Sequence, residues 1–190
     1  MQFSGLQIVA GIELALCWLI WIVAFMKPHR EAKGQEKVVR AKSSQWGIGL
    51  VGVSFALTWA WVKPEGFEKS PASLILSMVL APVSAALVWA ATRELGKQWR
   101  YEAALTQDHE LIQTGPYRWM RHPIYTSMFG MLMATAAALT WWPMWIASAA
   151  FFILGTEIRV RAEERLLAGR FQEKFEDYRA RVPAYIPFIR

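Results

Sequence analysis

The stretch GPYRWMRHPIYTS, from Gly115 to Ser127, sets Arg118, Arg121 and His122 among Tyr117, Trp119 and Tyr125, just where a long apolar run begins. Pro123 opens that run, and proline at a first helical position with His122 before it marks a helix N-terminus. Such an end presents amide N–H groups and favours an anion. Arg121 and His122 strengthen that preference. Further along, EIRVRAEERLL carries Arg159 and Glu163 four residues apart, so both lie on one helical face. Glu163 supplies the opposite sign. An anion pocket, a carboxylate and aromatic walls suit an amphoteric ligand with a flat ring. S-adenosylmethionine, with a carboxylate, an ammonium, a sulfonium and an adenine, has that form. The same residues also fit plainer roles. The arginines and aromatics serve equally as anchors at a membrane interface, His122 as an N-cap, and Glu163 as one member of a solvated helix paired to Arg159. The adjacent acids Glu163-Glu164 alone are a weak signal.

The elements that must position these groups are membrane spans. The chain has 190 residues, of which 55% are hydrophobic, with 11 Trp and 10 Phe, too apolar for an ordinary soluble domain. A bilayer core takes about 20 apolar residues per helix. Spans are expected near residues 6–26, 46–62, 71–92, 123–140 and 143–156. Glu13 is the single charge in the first, and Pro82 predicts a kink in the third. The charge-free run from Pro123 to Thr156 is too long for one span and slightly short for two. TWWPMW divides it, with Pro143 starting a second helix and tryptophans at the interface. The expected fold is all-α: a polytopic integral membrane protein of five transmembrane helices, with a C-terminal helix-turn-helix hairpin and a helical cytoplasmic tail. No linker divides residues 1–190, which read as one domain.

The net charge of +6 does not point to nucleic acid, because the basic residues flank apolar runs and form no single stripe. In a five-span arrangement all but two of the 21 Lys and Arg fall on one side, the exceptions being Lys63 and Lys69. The positive-inside rule then places the N-terminus outside and the C-terminus and site in the cytoplasm. No basic segment precedes the first apolar run, so it reads as a true span, not a cleaved signal. Cys17, the one cysteine, has no disulfide partner and reads as a small apolar residue. No metal site is expected.

The hairpin returns both its ends to one interface, which brings Arg121 and His122 near Glu157, Arg159 and Glu163. Charges held at that depth are costly unless paired or used. Beyond Thr156 the tail reads as helix, with Gly169 able to end one helix and start another. Pro183 and Pro187 force PAYIPFIR to be extended.

HELIQTGPYRWMRHPIY together with RVRAEERLLAGRFQEKFEDYRARVPAYIPFI resembles the isoprenylcysteine carboxyl methyltransferases and their prokaryotic relatives. The resemblance runs from Arg93 onward, so residues 93–190 would form the cofactor-binding half. It implies S-adenosylmethionine bound in a cytoplasm-facing pocket, contacted by His109, Glu110, Leu111, Ile112, Tyr117, His122, Pro123, Ile124, Tyr125 and Glu163. Arg159 matches a substrate-side arginine, making Arg159 and Glu163 the catalytic pair. Glu102 stands where the family commonly has Gln, and Ser127 where it often has Gly.

The first expectation is therefore a methyltransferase acting on a carboxylate of a lipophilic, prenylated or similar acceptor among the membrane lipids. The alternative keeps the cofactor and takes a phospholipid amine or a hydrophobic thiol. A carboxylate acceptor needs no base, whereas an amine or thiol would draw on Glu163 or Glu157. A non-enzymatic scaffold or transporter subunit is a third reading, opposed by the absence of charged residues along the later spans. A sterol or fatty-chain reductase is a fourth, opposed by the lack of a glycine-rich dinucleotide fingerprint.

Overall fold

The computed structural model describes residues 5–26, 39–40, 44–59, 64–96, 104–105 and 110–186. Six α-helices make up most of these: α1 (Gly5–Met26), α2 (Ser44–Trp59), α3 (Pro71–Leu95), α4 (Pro123–Leu139), α5 (Trp142–Phe171) and α6 (Glu173–Arg181). Among the described residues the strands are one antiparallel pair of two residues each, β1 (Val39–Arg40) and β2 (Ala104–Leu105), with Val39 opposite Leu105. Three helices are long and apolar enough to cross a membrane: α1, α3 and α5. At 1.5 Å per residue they reach about 33, 37 and 45 Å, against a hydrocarbon core of about 30 Å. Helices α2 and α4, of 16 and 17 residues, are shorter.

Local signals explain the helix ends. Ser70 caps α3 by accepting the Ser73 N–H at 3.2 Å, with Pro71 following. Helix α3 continues through Pro82 and stops at Gly96, whose φ of 52° suits a residue without Cβ. Helix α4 starts at Pro123 behind His122. At its other end, Lys69 donates to the Thr140 carbonyl and lies 3.4 Å from that of Ala136, placing a cation at a helix C-terminus.

Two packing layers hold the bundle. Leu14, Cys17 and Trp21 of α1 meet Ala81, Ala85 and Val88 of α3 and Met131 and Ala134 of α4. Val51 of α2 meets Leu132 of α4 and Phe152 of α5. Small residues bring the backbones close, the usual device where lipid supplies no hydrophobic drive between helices. A Cβ on Gly47 would stand 2.5 Å from the Gly155 carbonyl oxygen, and one on Gly130 would stand 2.2 Å from Ser84 Oγ. Polar bonds link the layers: Trp21 Nε1 donates to Ser127 Oγ at 2.9 Å, and Ser127 Oγ donates to the Ser84 carbonyl at 2.9 Å. Trp18 Nε1 likewise reaches Thr135 Oγ1 at 3.0 Å.

The last two long helices are consecutive, yet α4 packs most extensively on α3, and α5 on α2. Their close turn at Thr140–Trp141 therefore opens into a splayed pair. Helix α5 runs past the apolar stretch without a break. It passes through Gly169 and ends at Gln172, a non-glycine residue with φ of 49°. The expected break at Gly169 is thus displaced by three residues, because Phe175 and Tyr178 of α6 are buried and fix where the chain must turn.

Candidate functional site

The site forms where three elements meet: the N-terminal turn of α4, the far half of α5, and the tail behind α6. The approach is a tight turn of 3-10 helix, Gly115–Arg118. Gly115 has φ of 56°, and a Cβ there would press on the Glu94 carboxylate 2.9 Å away. Glu94 in turn accepts from the Thr114 hydroxyl. This turn buries Tyr117, whose carbonyl accepts the Tyr178 hydroxyl at 2.6 Å. Burial pushes the Tyr178 phenol well above its ordinary value, so it stays a donor. Burial, with Glu163 next, raises Tyr117 in the same sense.

Glu163 is the centre of the first cluster. Its Oε1 accepts from the Tyr125 hydroxyl and lies 3.7 Å from Arg159 Nη2. Its Oε2 lies 3.8 Å from His122 Nδ1. Arg159 is buried, donates from Nε to the Tyr125 hydroxyl at 2.8 Å, and sits over the Tyr125 ring. Its aliphatic stem runs against Gly47, so the α2–α5 contact also seats this arginine.

Glu164 is the centre of the second. Its Oε1 accepts from Arg121 Nε at 2.9 Å and Nη2 at 2.7 Å, and lies 3.1 Å from His122 Nε2. Arg179 approaches its other oxygen at 3.6 Å. Arg121 also donates to the carbonyls of Val182 and, at 3.2 Å, Arg179. The expectation that Arg121 adds to an anion pocket therefore needs correcting: its guanidinium is engaged by Glu164 and the tail. The tail lies along the α4 entrance, where Pro183 and Ala184 accept the N–H groups of Arg121 and His122, each at 2.9 Å. Tyr185 accepts from Thr126 at 3.0 Å through its carbonyl and donates from its hydroxyl to Glu157 at 2.8 Å. Burial first, and the bond to Glu157 second, raise the Tyr185 phenol well above its usual range.

Of the residues singled out in the sequence, the fold brings Tyr117, His122, Pro123, Tyr125, Arg159 and Glu163 into one neighbourhood. Ile124 is half-buried in the first turn of α4. Leu111 and Ile112 are half-buried and Glu110 is exposed on the segment leading to the 3-10 turn. Glu102 and His109 lie outside the described residues. Sequence reasoning passed over Glu164, Arg179, Tyr178 and Tyr185. Only the paired acids gave any signal for Glu164. Among the described residues no group of three His, Cys, Asp or Glu is placed to hold a metal ion.

His122 makes no side-chain bond to the helix it precedes, so its side chain does not cap the Ile124 and Tyr125 N–H groups in the first turn of α4. An anionic group can be received there, with a cationic group beside Glu163.

Comparison with known proteins identifies the family. The model of the isoprenylcysteine carboxyl methyltransferase (ICMT) family matches residues 75–169. The chain is 36% identical over 78 residues to the nickel-cobalt-cadmium resistance protein NccN of Alcaligenes xylosoxydans, covering 41% of this chain and 36% of that protein. It is 27% identical over 154 residues to the cobalt-zinc-cadmium resistance protein CzcN of Cupriavidus metallidurans, covering 79% and 65%. It is 34% identical over 83 residues to the protein-S-isoprenylcysteine O-methyltransferase of Saccharomyces cerevisiae, covering 43% and 34%. The chain therefore spans about a third to two thirds of these relatives' own lengths. The matched region runs from α3 to the end of α5 and includes Tyr117, His122, Tyr125, Arg159 and Glu163: the chain belongs to the isoprenylcysteine carboxyl methyltransferase family.

Proposed function

We propose that the chain is an S-adenosylmethionine-dependent membrane methyltransferase that methylates a carboxylate on a lipophilic acceptor, such as a prenylated one. The observation that carries this reading is the convergence of Tyr125, Arg159 and His122 on Glu163 beside the N-terminus of α4. The family membership and the protein-S-isoprenylcysteine O-methyltransferases among the relatives support it.

The residues fit the cofactor by charge. Glu163 would receive the ammonium or sulfonium side, and the first-turn amides of α4 the carboxylate. Tyr117, His122 and Tyr125 would bound the site, with Pro123 and Ile124 at its floor. His109, Glu110, Leu111 and Ile112 would close it from the preceding segment, with Glu102 as a further contact. Bound there, S-adenosylmethionine would supply an electrophilic methyl group.

The protein's own work is alignment and electrostatics. Arg159 is fixed through Tyr125 and would orient an acceptor carboxylate through its planar fork. Such an acceptor is already ionised at neutral pH and needs no base. Five spans, an outside N-terminus and a cytoplasmic site complete the proposal, with residues 1–190 acting as one domain. A site at headgroup depth lets a water-soluble cofactor and a lipophilic acceptor each arrive from its own solvent.

The test is calorimetry with S-adenosylmethionine on detergent-solubilised wild type and Glu163→Gln, both shown folded by circular dichroism. Binding by wild type and its loss in Glu163→Gln is the expected result. A folded wild type that does not bind overturns the proposal.

A further inference from the structure

The expected catalytic pair leaves the second acid unused, yet Glu164 holds the more crowded position. Three donors converge on its Oε1: Arg121 Nε, Arg121 Nη2 and His122 Nε2, at 2.9, 2.7 and 3.1 Å. A carboxylate can only accept, so the imidazole nitrogen facing it must carry the proton. In its neutral form His122 then holds its proton on Nε2, and its lone pair lies on Nδ1. Nδ1 faces Glu163 Oε2 at 3.8 Å. Two acceptors side by side at that separation attract a donor between them, and a cationic N–H group answers both. Were the proton on Nδ1, this edge would close as an internal His122–Glu163 bond.

We infer that Glu164 is a positioning residue: it fixes the His122 ring as the Nε2–H tautomer and so keeps the Nδ1–Glu163 edge open to an ammonium-bearing ligand. The same carboxylate holds Arg121, which bonds the Val182 and Arg179 carbonyls and so keeps the tail across the α4 entrance. Glu164 thus acts through two neighbours and touches no ligand itself. A buried carboxylate that selects an imidazole tautomer is a known device in enzymes that use histidine. The inference rests on the proposed methyltransferase reading only for the identity of the ligand.

The experiment is nitrogen-15 NMR of histidine-labelled protein at alkaline pH, where the rings are neutral, with His122→Gln assigning the signal. S-adenosylmethionine affinity is measured alongside. Wild type should show the Nε2–H tautomer. In Glu164→Gln the amide can donate as well as accept, so the single tautomer should be lost. Affinity should fall about tenfold, the scale of one charged hydrogen bond. Arg179→Ala, which removes a Glu164 partner without touching His122, should keep both tautomer and affinity. A wild-type ring in the Nδ1–H form overturns the inference, and this measurement stands even where Glu164→Gln does not fold. Unchanged affinity in folded Glu164→Gln, or an equal loss in Arg179→Ala, overturns it as well. Absence of cofactor binding in wild type would sink the methyltransferase reading, while the ring signal would still report on Glu164.

Discussion

Arg159 Nε lies 2.8 Å from the Tyr125 hydroxyl, and that hydroxyl also donates to Glu163. One phenol thus couples the arginine proposed to face the acceptor with the carboxylate proposed to face the cofactor. Arg159 is buried, so its charge must be held by partners of this kind.

The first prediction concerns the fork. Arg159→Lys should keep cofactor affinity and membrane insertion but lower turnover at least about tenfold, the change for about 1.4 kcal/mol of barrier. Lysine places a point charge where two parallel N–H donors are needed. Turnover at saturating cofactor, measured beside affinity, checks this. Loss of affinity in parallel would place Arg159 in the cofactor pocket instead.

Tyr125→Phe should reduce both affinity and turnover. It removes the acceptor of Arg159 Nε and the donor to Glu163 together, and an unsatisfied buried donor costs about 1–3 kcal/mol. Calorimetry and a thermal melt in detergent separate the two consequences. Wild-type affinity in the folded variant would contradict the coupling.

Much of the scaffold was legible in the sequence, because apolar length and flanking proline are local properties. Helices α1 to α5 each overlap one of the five apolar runs, α1, α3 and α5 being long and apolar enough to cross a membrane, and Pro123 marks the start of α4. What the runs do not encode is which helix packs on which. The α2–α5 contact depends on Gly47 and Gly155, two small residues far apart in sequence whose value appears only when backbones approach. Glu164 was hidden for a related reason. Its partners Arg121, His122 and Arg179 come from other elements, and an acid beside another acid on a charged helix looks solvated. The neighbourhood of His122 and Glu163 was legible because the turn after α4 sends α5 back past the start of α4.

Gly47→Ala tests the long-range packing. The added methyl would meet the Gly155 carbonyl oxygen at 2.5 Å and the Arg159 Cγ at 2.6 Å. Overpacking of this kind costs about 1–3 kcal/mol. The melting temperature should fall, and turnover should fall further than the melt alone explains, because Arg159 moves with the contact. Unchanged turnover in a variant that still folds would separate the glycine from the site.

Ser127→Ala should destabilise without abolishing binding. Ser127 is buried, accepts Trp21 Nε1 and donates to the Ser84 carbonyl. Stranding a buried indole N–H costs about 1–3 kcal/mol. The check is a lowered detergent melt with cofactor affinity within twofold of wild type.

The most direct measurement is labelled methyl transfer from S-adenosylmethionine in proteoliposomes, offered a prenylated cysteine, a phospholipid amine and a lipophilic thiol separately. The account predicts a base-labile methyl ester on the prenylated cysteine, present with wild type and absent with Glu163→Gln. Transfer only to the amine or thiol would keep the cofactor site and move the acceptor to the alternative class. No transfer to any acceptor by folded wild type that also fails to bind the cofactor would contradict the central claim.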